Sequence, residues 1–358
     1  MSPTPLSPPR RDIDMDDQTE LGGYAEVPQV QEALLALNEI LLPVYMQADR
    51  EALEHQRAHR RLTIISVLAG TIAVVLAITQ LAVVQLSAVV AEQVVWVKGG
   101  ELLAVILGLL SVSLGIIAST QNSWLRERHK AERCRLLKFR FLAHRALWCQ
   151  GMGGIEVWRH ELQCEIEQIQ AIDRKKVKAW ADVDKPPHAP LPISTCALSP
   201  AALRALMGYY TAKRLTLQSA YFHERSMHYE GRDRKLRLLP AACFFLSVSF
   251  VLLHSLMDLL SKGDTRSHFF SIWLVWLAAC LPVLGGGVRT YRSAHEFARS
   301  ASLFHAKHHN LEDLKKELEH ADTNNPDDIM HLIWKCEDYL EREHREWLWL
   351  MLEAEWFG

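Results

Sequence analysis

Hydrophobic positions in this chain follow two different periods. From Leu62 to Val90 the sequence LTIISVLAGTIAVVLAITQLAVVQLSAVV is apolar on every side and carries no charge. As a helix it would be about 43 Å long, whereas a bilayer core needs only about 20 apolar residues. Leu102–Ser123, Leu238–Leu260 and Phe269–Val288 repeat the pattern. Elsewhere the apolar residues recur on one helical face, as in Val30, Leu34, Leu37 and Leu41, and in Ile155, Trp158, Leu162, Ile166, Ile169 and Ile172. The pattern predicts an all-α polytopic membrane protein, with four transmembrane helices in two hairpins and a cytosolic helical bundle.

In order, the chain reads as a Pro-rich, acidic, disordered N-terminus (1–27) and two cytosolic helices interrupted by Pro43 (28–61). The first hairpin covers 62–123, with Glu92 to Glu101 as its outer turn. A cytosolic helical region (124–237) opens on the basic run Arg126 to Arg145, breaks at Gly151–Gly154 and holds a Pro-rich loop at 182–199. Ser199 before Pro200 is a helix start: a side-chain cap followed by proline at the first helical position. The second hairpin covers 238–288, kinked or ended by Pro282 and Gly285–Gly287. Cytosolic helices follow (289–358), the last opening at Asn325-Pro326-Asp327-Asp328 with a cap and an acidic first turn.

Composition agrees with that division. Among 358 residues, 49% are hydrophobic, yet the mean hydropathy is close to zero, so apolar residues are concentrated and the remainder is very polar. Seven scattered cysteines without a CxxC pair read as reduced thiols. No secretory signal is expected, because Met1–Asp17 lacks an apolar core behind a basic start. Lys and Arg cluster on the four inner flanks of the spans and are sparse at both outer turns, which places both termini in the cytosol. The two halves share one plan: basic helix, span, outer turn, span, basic helix. That layout suggests a tandem duplication, with both copies in the same orientation.

Candidate chemistry is sparse. Ser66, Gly70, Ala73, Ala77 and Gln80 on the first span, and Gly108, Ser111, Gly115 and Asn122 on the second, recur every three or four residues as small or polar faces. Such faces allow close helix packing in lipid. They either zip the hairpin together, or pack between subunits and line a conduit. Gln80 and Gln85 favour the second use, since an amide in lipid needs a partner or water. Glu92 and Glu101 lie at the outer mouth, either as a cation-favouring ring or as solvated ends. The second hairpin, with Phe244, Phe245, Phe250, Trp273 and Trp276, reads as a lipid-facing shell. His55/His59 and His305/His309 are each four apart, but the expectation is solvated histidines and no metal site. No phosphate loop, nucleophile motif or paired CxxC is present in the sequence, so neither an enzyme nor a cofactor is expected. The basic run 126–145 is expected against anionic lipid and not nucleic acid.

The final helix carries Leu340, Trp347, Leu348 and Met351 on one face, and Glu337, Glu341 and Arg345 at spacings of four. It reads as a helix docked by its tryptophans. Here Glu341, Glu343, Trp347 and Leu348, together with YFHERSMHYEGRDRKLRLL (Tyr221–Leu239), resemble the SLATT superfamily and its DUF4231 relatives, the SMODS- and SLOG-associating two-transmembrane effectors. The resemblance covers 201–358 best and the first hairpin more loosely. It implies a bacterial inner-membrane conflict (antiphage) effector: a homo-oligomer that forms a pore or disrupts the membrane. Gating would come from its cytosolic helices, in response to a nucleotide second messenger or a separate sensor protein. A non-conducting scaffold and a constitutive ion channel are the alternatives.

Overall fold

A computed structural model describes residues 28–86, 91–143, 154–181, 199–260, 265–322 and 325–353. Every regular element among them is helical: α1 (Pro28–Leu86), α2 (Ala91–Ile117), α3 (Thr120–Leu142), α4 (Gly154–Gln170), α5 (Arg174–Trp180), α6 (Pro200–Tyr210), a π-helical segment (Thr211–Thr216), α7 (Leu217–Leu260), α8 (Thr265–Ala294), α9 (Phe297–Glu319) and α10 (Pro326–Glu353). The N-terminal segment 1–27, the Gly151–Gly153 break and most of the Pro-rich loop lie outside the described residues.

Two compact units divide the chain. One comprises Met1–Gln56, Gln121–Arg225 and Leu303–Glu355; the other comprises Arg57–Thr120, Ser226–Ser302 and Trp356–Gly358. Among the described residues, four helices have stretches long and apolar enough to cross a membrane. In the most apolar window of each, between 6% and 17% of the residues are buried. These apolar faces therefore point outward, as a lipid-facing surface requires and a water-facing one does not tolerate.

The first unit is built around α3. Cys134, Arg135, Leu136, Leu137, Lys138 and Phe139 are six consecutive buried residues. At about 100° per residue they sweep the whole circumference, so this part of α3 has no solvent face. Around it pack Val30, Leu34, Leu37, Leu41 and Tyr45 of α1, Leu162, Ile166 and Ile169 of α4, Leu203, Leu206, Tyr209 and Tyr210 of α6, Leu311 and Leu318 of α9, and Ile329, Ile333, Cys336 and Leu340 of α10. The amphipathic stripes expected at 30–41 and 162–169 are thus the inward faces. The basic run 126–145, expected on a surface against lipid, is instead the axis of the unit across its described residues. Arg135 and Lys138 are internal because the apolar faces of the surrounding helices enclose that stretch, whereas Arg126 toward the start of the run stays partly exposed.

The second unit holds both hairpins. In the first, Gly108 faces Ala69, whose Cβ lies 3.7 Å from the position a Gly108 Cβ would take. In the second, Ser247 Oγ donates to the Ala278 carbonyl at 2.7 Å, and a Cβ on Gly285 would lie 3.3 Å from Cys243 Cβ. The hairpins also meet each other: Trp276 Nε1 donates to Thr79 Oγ1 at 3.0 Å. Gly287 sits so close to Thr71 that a Cβ there would collide with its hydroxyl. Phe244, Phe245 and Trp273 face outward, as a lipid-facing shell would have them, while Trp276 turns inward. Hydroxyls within the apolar helices donate to their own backbones, Thr71 to Val67 O at 2.8 Å and Thr79 to Val75 O at 2.7 Å. They need no partner from lipid.

Three boundaries differ from the sequence reading. Pro43 does not interrupt α1, whose flanking Leu41 and Tyr45 are fully buried and hold the helix on course. Pro282 and Gly285–Gly287 lie inside α8, where close packing on Pro240 and Cys243 stabilises the backbone. Residues 92–101, expected as a turn, are helical from Ala91, with Gly100 packed against Leu76. Downstream, α2 stops at Ile117 and Ser119 takes a left-handed φ of 45°, while α8 stops at Ala294 and Glu296 takes 44°. The helices that follow these breaks, α3 and α9, are each 23 residues long. The shared break strengthens the duplicated layout, since a left-handed non-glycine costs about 1–2 kcal/mol and does not arise by default.

Candidate functional site

The densest chemistry among the described residues lies inside the first unit, along one face of α10. Asn325 opens that helix, its Oδ1 accepting from the Asp327 amide at 3.2 Å, with Pro326 at the first position. The face at 337, 341, 344, 345 and 348 then turns inward, so Glu337, Glu341, His344 and Arg345 are buried beside Leu348. Each meets a partner on another helix. Arg214 bridges both Glu337 oxygens at 2.9 Å, and Tyr210 Oη donates to the same carboxylate at 2.8 Å. The π-helical turn brings Arg214 to this carboxylate and sets its guanidinium 4.8 Å from the Phe139 ring. Such turns recur at functional positions in helices.

One turn on, Glu341 accepts from Arg345 at 2.7 Å and pairs with Arg140 of α3. Burial raises the Glu341 carboxyl, but Arg140 and Arg345 outweigh burial and hold it below the ordinary range. His344 Nε2 lies 3.1 Å from His129 Nδ1, and Trp180 stacks obliquely on both rings at 5.3 and 4.3 Å. Burial pushes His344 down to about 3. His129 also falls well below 6.5, through burial first and then the charges of His344 and Arg133. The pair is therefore neutral, one ring donating to the other. Trp347 stacks on His344 and meets Trp124 edge-on at 5.9 Å, and Gln121 Nε2 donates to the Met351 carbonyl at 2.9 Å.

A second group on α3 completes the lattice. Glu132 binds Arg128 at 2.5 Å and Arg135 at 2.7 Å, and Arg135 reaches Tyr45 Oη at 2.7 Å. Burial opposes ionisation of Glu132, but Arg135 and Arg128 overcome it and keep the carboxylate charged. Lys307 of α9 lies 3.3 Å from Glu343. Burial pushes the Cys134 and Cys336 thiols up to about 12, which leaves both inert as nucleophiles. Among the described residues, no group of three or more His, Cys, Asp or Glu is placed to hold a metal ion. The arrangement is a buried, charge-paired lock that ties α3, α6, the π-helical turn and α10 together.

Of the residues singled out from sequence, Glu341 and Leu348 are buried in this lock, with Trp347 and Glu343 at its edge. The helix is docked, as expected, but by charge as much as by tryptophan. Glu337 and Arg345 stand out in the sequence only by their four-residue spacing to Glu341, and His344 not at all, because spacing alone does not reveal which face is covered. In the hairpins, Ala73, Ser111 and Gly115 are buried, Ser66, Ala77 and Gly108 half-buried, and Gly70 exposed. Gln80 donates to Glu101, which joins two residues read separately as conduit and mouth. Asn122 falls beyond the break at Ser119, in the first unit and not on the hairpin face. The side chains of Gln85 and Glu92 lie outside the described residues.

The fold and this lock define an all-α protein with four membrane-capable helices and a charge-paired helical unit. Residues 210–347 match the family model described as SMODS and SLOG-associating 2TM effector domain 1, so the SLATT resemblance holds over that stretch. The match opens on the π-helical turn, includes the second hairpin and ends at Trp347, leaving the first hairpin outside it. No curated protein and no solved structure matches the chain.

Proposed function

We propose that this chain is a conflict effector of the bacterial inner membrane, with both termini cytosolic. Its apolar helices assemble as a homo-oligomer that opens a pore or otherwise breaches the bilayer. Its charged helical unit is the part that senses a nucleotide-type signal or a separate sensor protein. The observation that carries this reading is a two-transmembrane effector match lying over a membrane-capable hairpin and over the buried lock in one continuous stretch. A lattice of paired charges suits a two-state element, because an added charge or a displaced partner costs several kcal/mol inside it. The role is non-catalytic and requires no cofactor.

The test is purified protein in vesicles loaded with a self-quenching dye and a potential-sensitive probe, with and without candidate nucleotides. Collapse of potential supports the reading; intact vesicles under every condition overturn it. Orientation is tested by Trp96→Cys, expected to react with an impermeant thiol reagent outside intact cells, and Arg289→Cys, expected not to.

One observation favours a second reading, a non-conducting scaffold. The amide of Gln80 and the carboxylate of Glu101 satisfy each other within the hairpin, which removes two polar groups from any conduit. That reading predicts sealed vesicles and a stable cytosolic partner.

A further inference from the structure

Helix α9 presents a second cluster of titratable groups on the face opposite the lock. Lys307 and Leu311 are buried, and Lys307 is anchored to Glu343, which fixes the roll of the helix. Residues two positions away lie about 200° round a helix, so His305 and His309 are turned out to solvent. Their Nε2 atoms lie 3.1 Å apart, with ring planes at 85°. As a hydrogen bond this contact requires different tautomers on the two rings. With both protons on Nδ1, neither ring can donate in this contact, and two Nε2 lone-pair atoms are left 3.1 Å apart. Two nitrogens each about 2.0–2.1 Å from a single ion, at angles of about 90–109°, are themselves about 2.8–3.4 Å apart. The observed separation falls in that interval.

We propose that His305 and His309 form a two-imidazole site for a borderline divalent transition-metal ion: Cu²⁺, Ni²⁺ or Zn²⁺. Imidazole nitrogen selects these ions over Mg²⁺ and Ca²⁺, which take oxygen ligands, and Cu²⁺ binds tightest. No third protein ligand stands close enough among the described residues, so water fills the remaining positions. The other histidine pairs differ. His129 and His344 are equally close but buried, with Arg133 and Arg128 in their electrostatic surroundings, which repel a cation. His59, four residues after His55, is buried and faces Thr120 Oγ1 at 3.5 Å, so that pair does not converge on solvent.

The test uses the full chain, purified in detergent micelles and stripped of metal, titrated with Cu²⁺ or Ni²⁺ by calorimetry. The nitrogen hyperfine pattern of bound Cu²⁺ is recorded in parallel. Wild type is expected to bind one ion at a two-nitrogen site. His305→Ala and His309→Ala should each weaken that binding about tenfold or more through loss of the chelate, and His331→Ala should leave it unchanged. His305→Gln and His309→Gln keep a polar side chain of similar length and guard against folding effects. Wild-type affinity in the alanine and glutamine variants, or a one-nitrogen spectrum from the wild type, overturns the proposal.

Discussion

Arg214 and Glu337 meet through two hydrogen bonds of 2.9 Å, with 2% and 0% of their side chains exposed. No water competes for either group, and each would be an uncompensated charge without the other. Removing one partner of such a pair typically costs about 3–5 kcal/mol, whereas replacing both by apolar residues is far milder. Glu337→Ala should therefore lower the thermal unfolding temperature of the detergent-solubilised protein much more than Arg214→Met with Glu337→Leu. Equal losses would show that the pair is not desolvated as described.

The neutral His129–His344 pair predicts a pH dependence of definite sign. In the unfolded chain each ring takes a proton below about pH 6.5; in the fold both stay neutral, His344 down to about 3. The stability they contribute is complete above about pH 6.5 and declines progressively as pH falls toward 3. The slope is about 1.4 kcal/mol per pH unit for each histidine. Glu132 and Glu341 are held low, so their contribution is lost only below the ordinary carboxylate range. The interval from pH 6.5 to 5 thus isolates the histidines. His59 and His295, which burial also lowers, share that interval, so urea unfolding across it should give a shallower but not abolished slope in His344→Gln relative to wild type.

Gly287 and Gly70 make opposite predictions in the apolar unit. A side chain at 287 would drive into Thr71, with Cγ2 of that threonine at 3.1 Å, whereas nothing lies within 4 Å of a Cβ at 70. Gly287→Val should cost about 1–3 kcal/mol by overpacking and be partly relieved by Thr71→Ala, while Gly70→Ala should be tolerated. Folded yield and thermal stability in micelles read the difference.

Gln80 and Glu101 close the outer part of the first hairpin. Coupling energies for polar pairs in membranes average about 0.6 kcal/mol. A double-mutant cycle with Gln80→Leu and Glu101→Leu should return a coupling near that value. Zero coupling would mean that the amide turns elsewhere and would revive its role in a conduit.

Much of the fold was legible in the residues themselves. Val30, Leu34, Leu37 and Leu41 were spaced for one buried face and all reach full burial. Ser199 caps α6 by accepting from the Ala202 amide at 3.2 Å, as its place before Pro200 indicated. The resemblance around Glu341 and Trp347 pointed to the helix that carries the lock. Misread were the prolines and the basic run. A single proline costs a helix one hydrogen bond, and neighbours such as Leu41 and Tyr45 can offset that loss, so its outcome is set by packing.

What the sequence determined alone is whatever depends on near neighbours along the chain. Apolar run length sets which segments can cross lipid, three-and-four spacing sets which faces are sticky, and caps set where α6 and α10 begin. Only the tertiary structure decided that α3 is the axis of its unit, so that Arg135 and Lys138 lie inside it. It alone turned Glu337, Glu341 and His344 into a dry, paired spine and joined Trp276 to Thr79 across 197 residues. A charged side chain carries the same letters on a surface and in a core. Its energy is fixed by what surrounds it, and those partners come from helices that are distant in the chain.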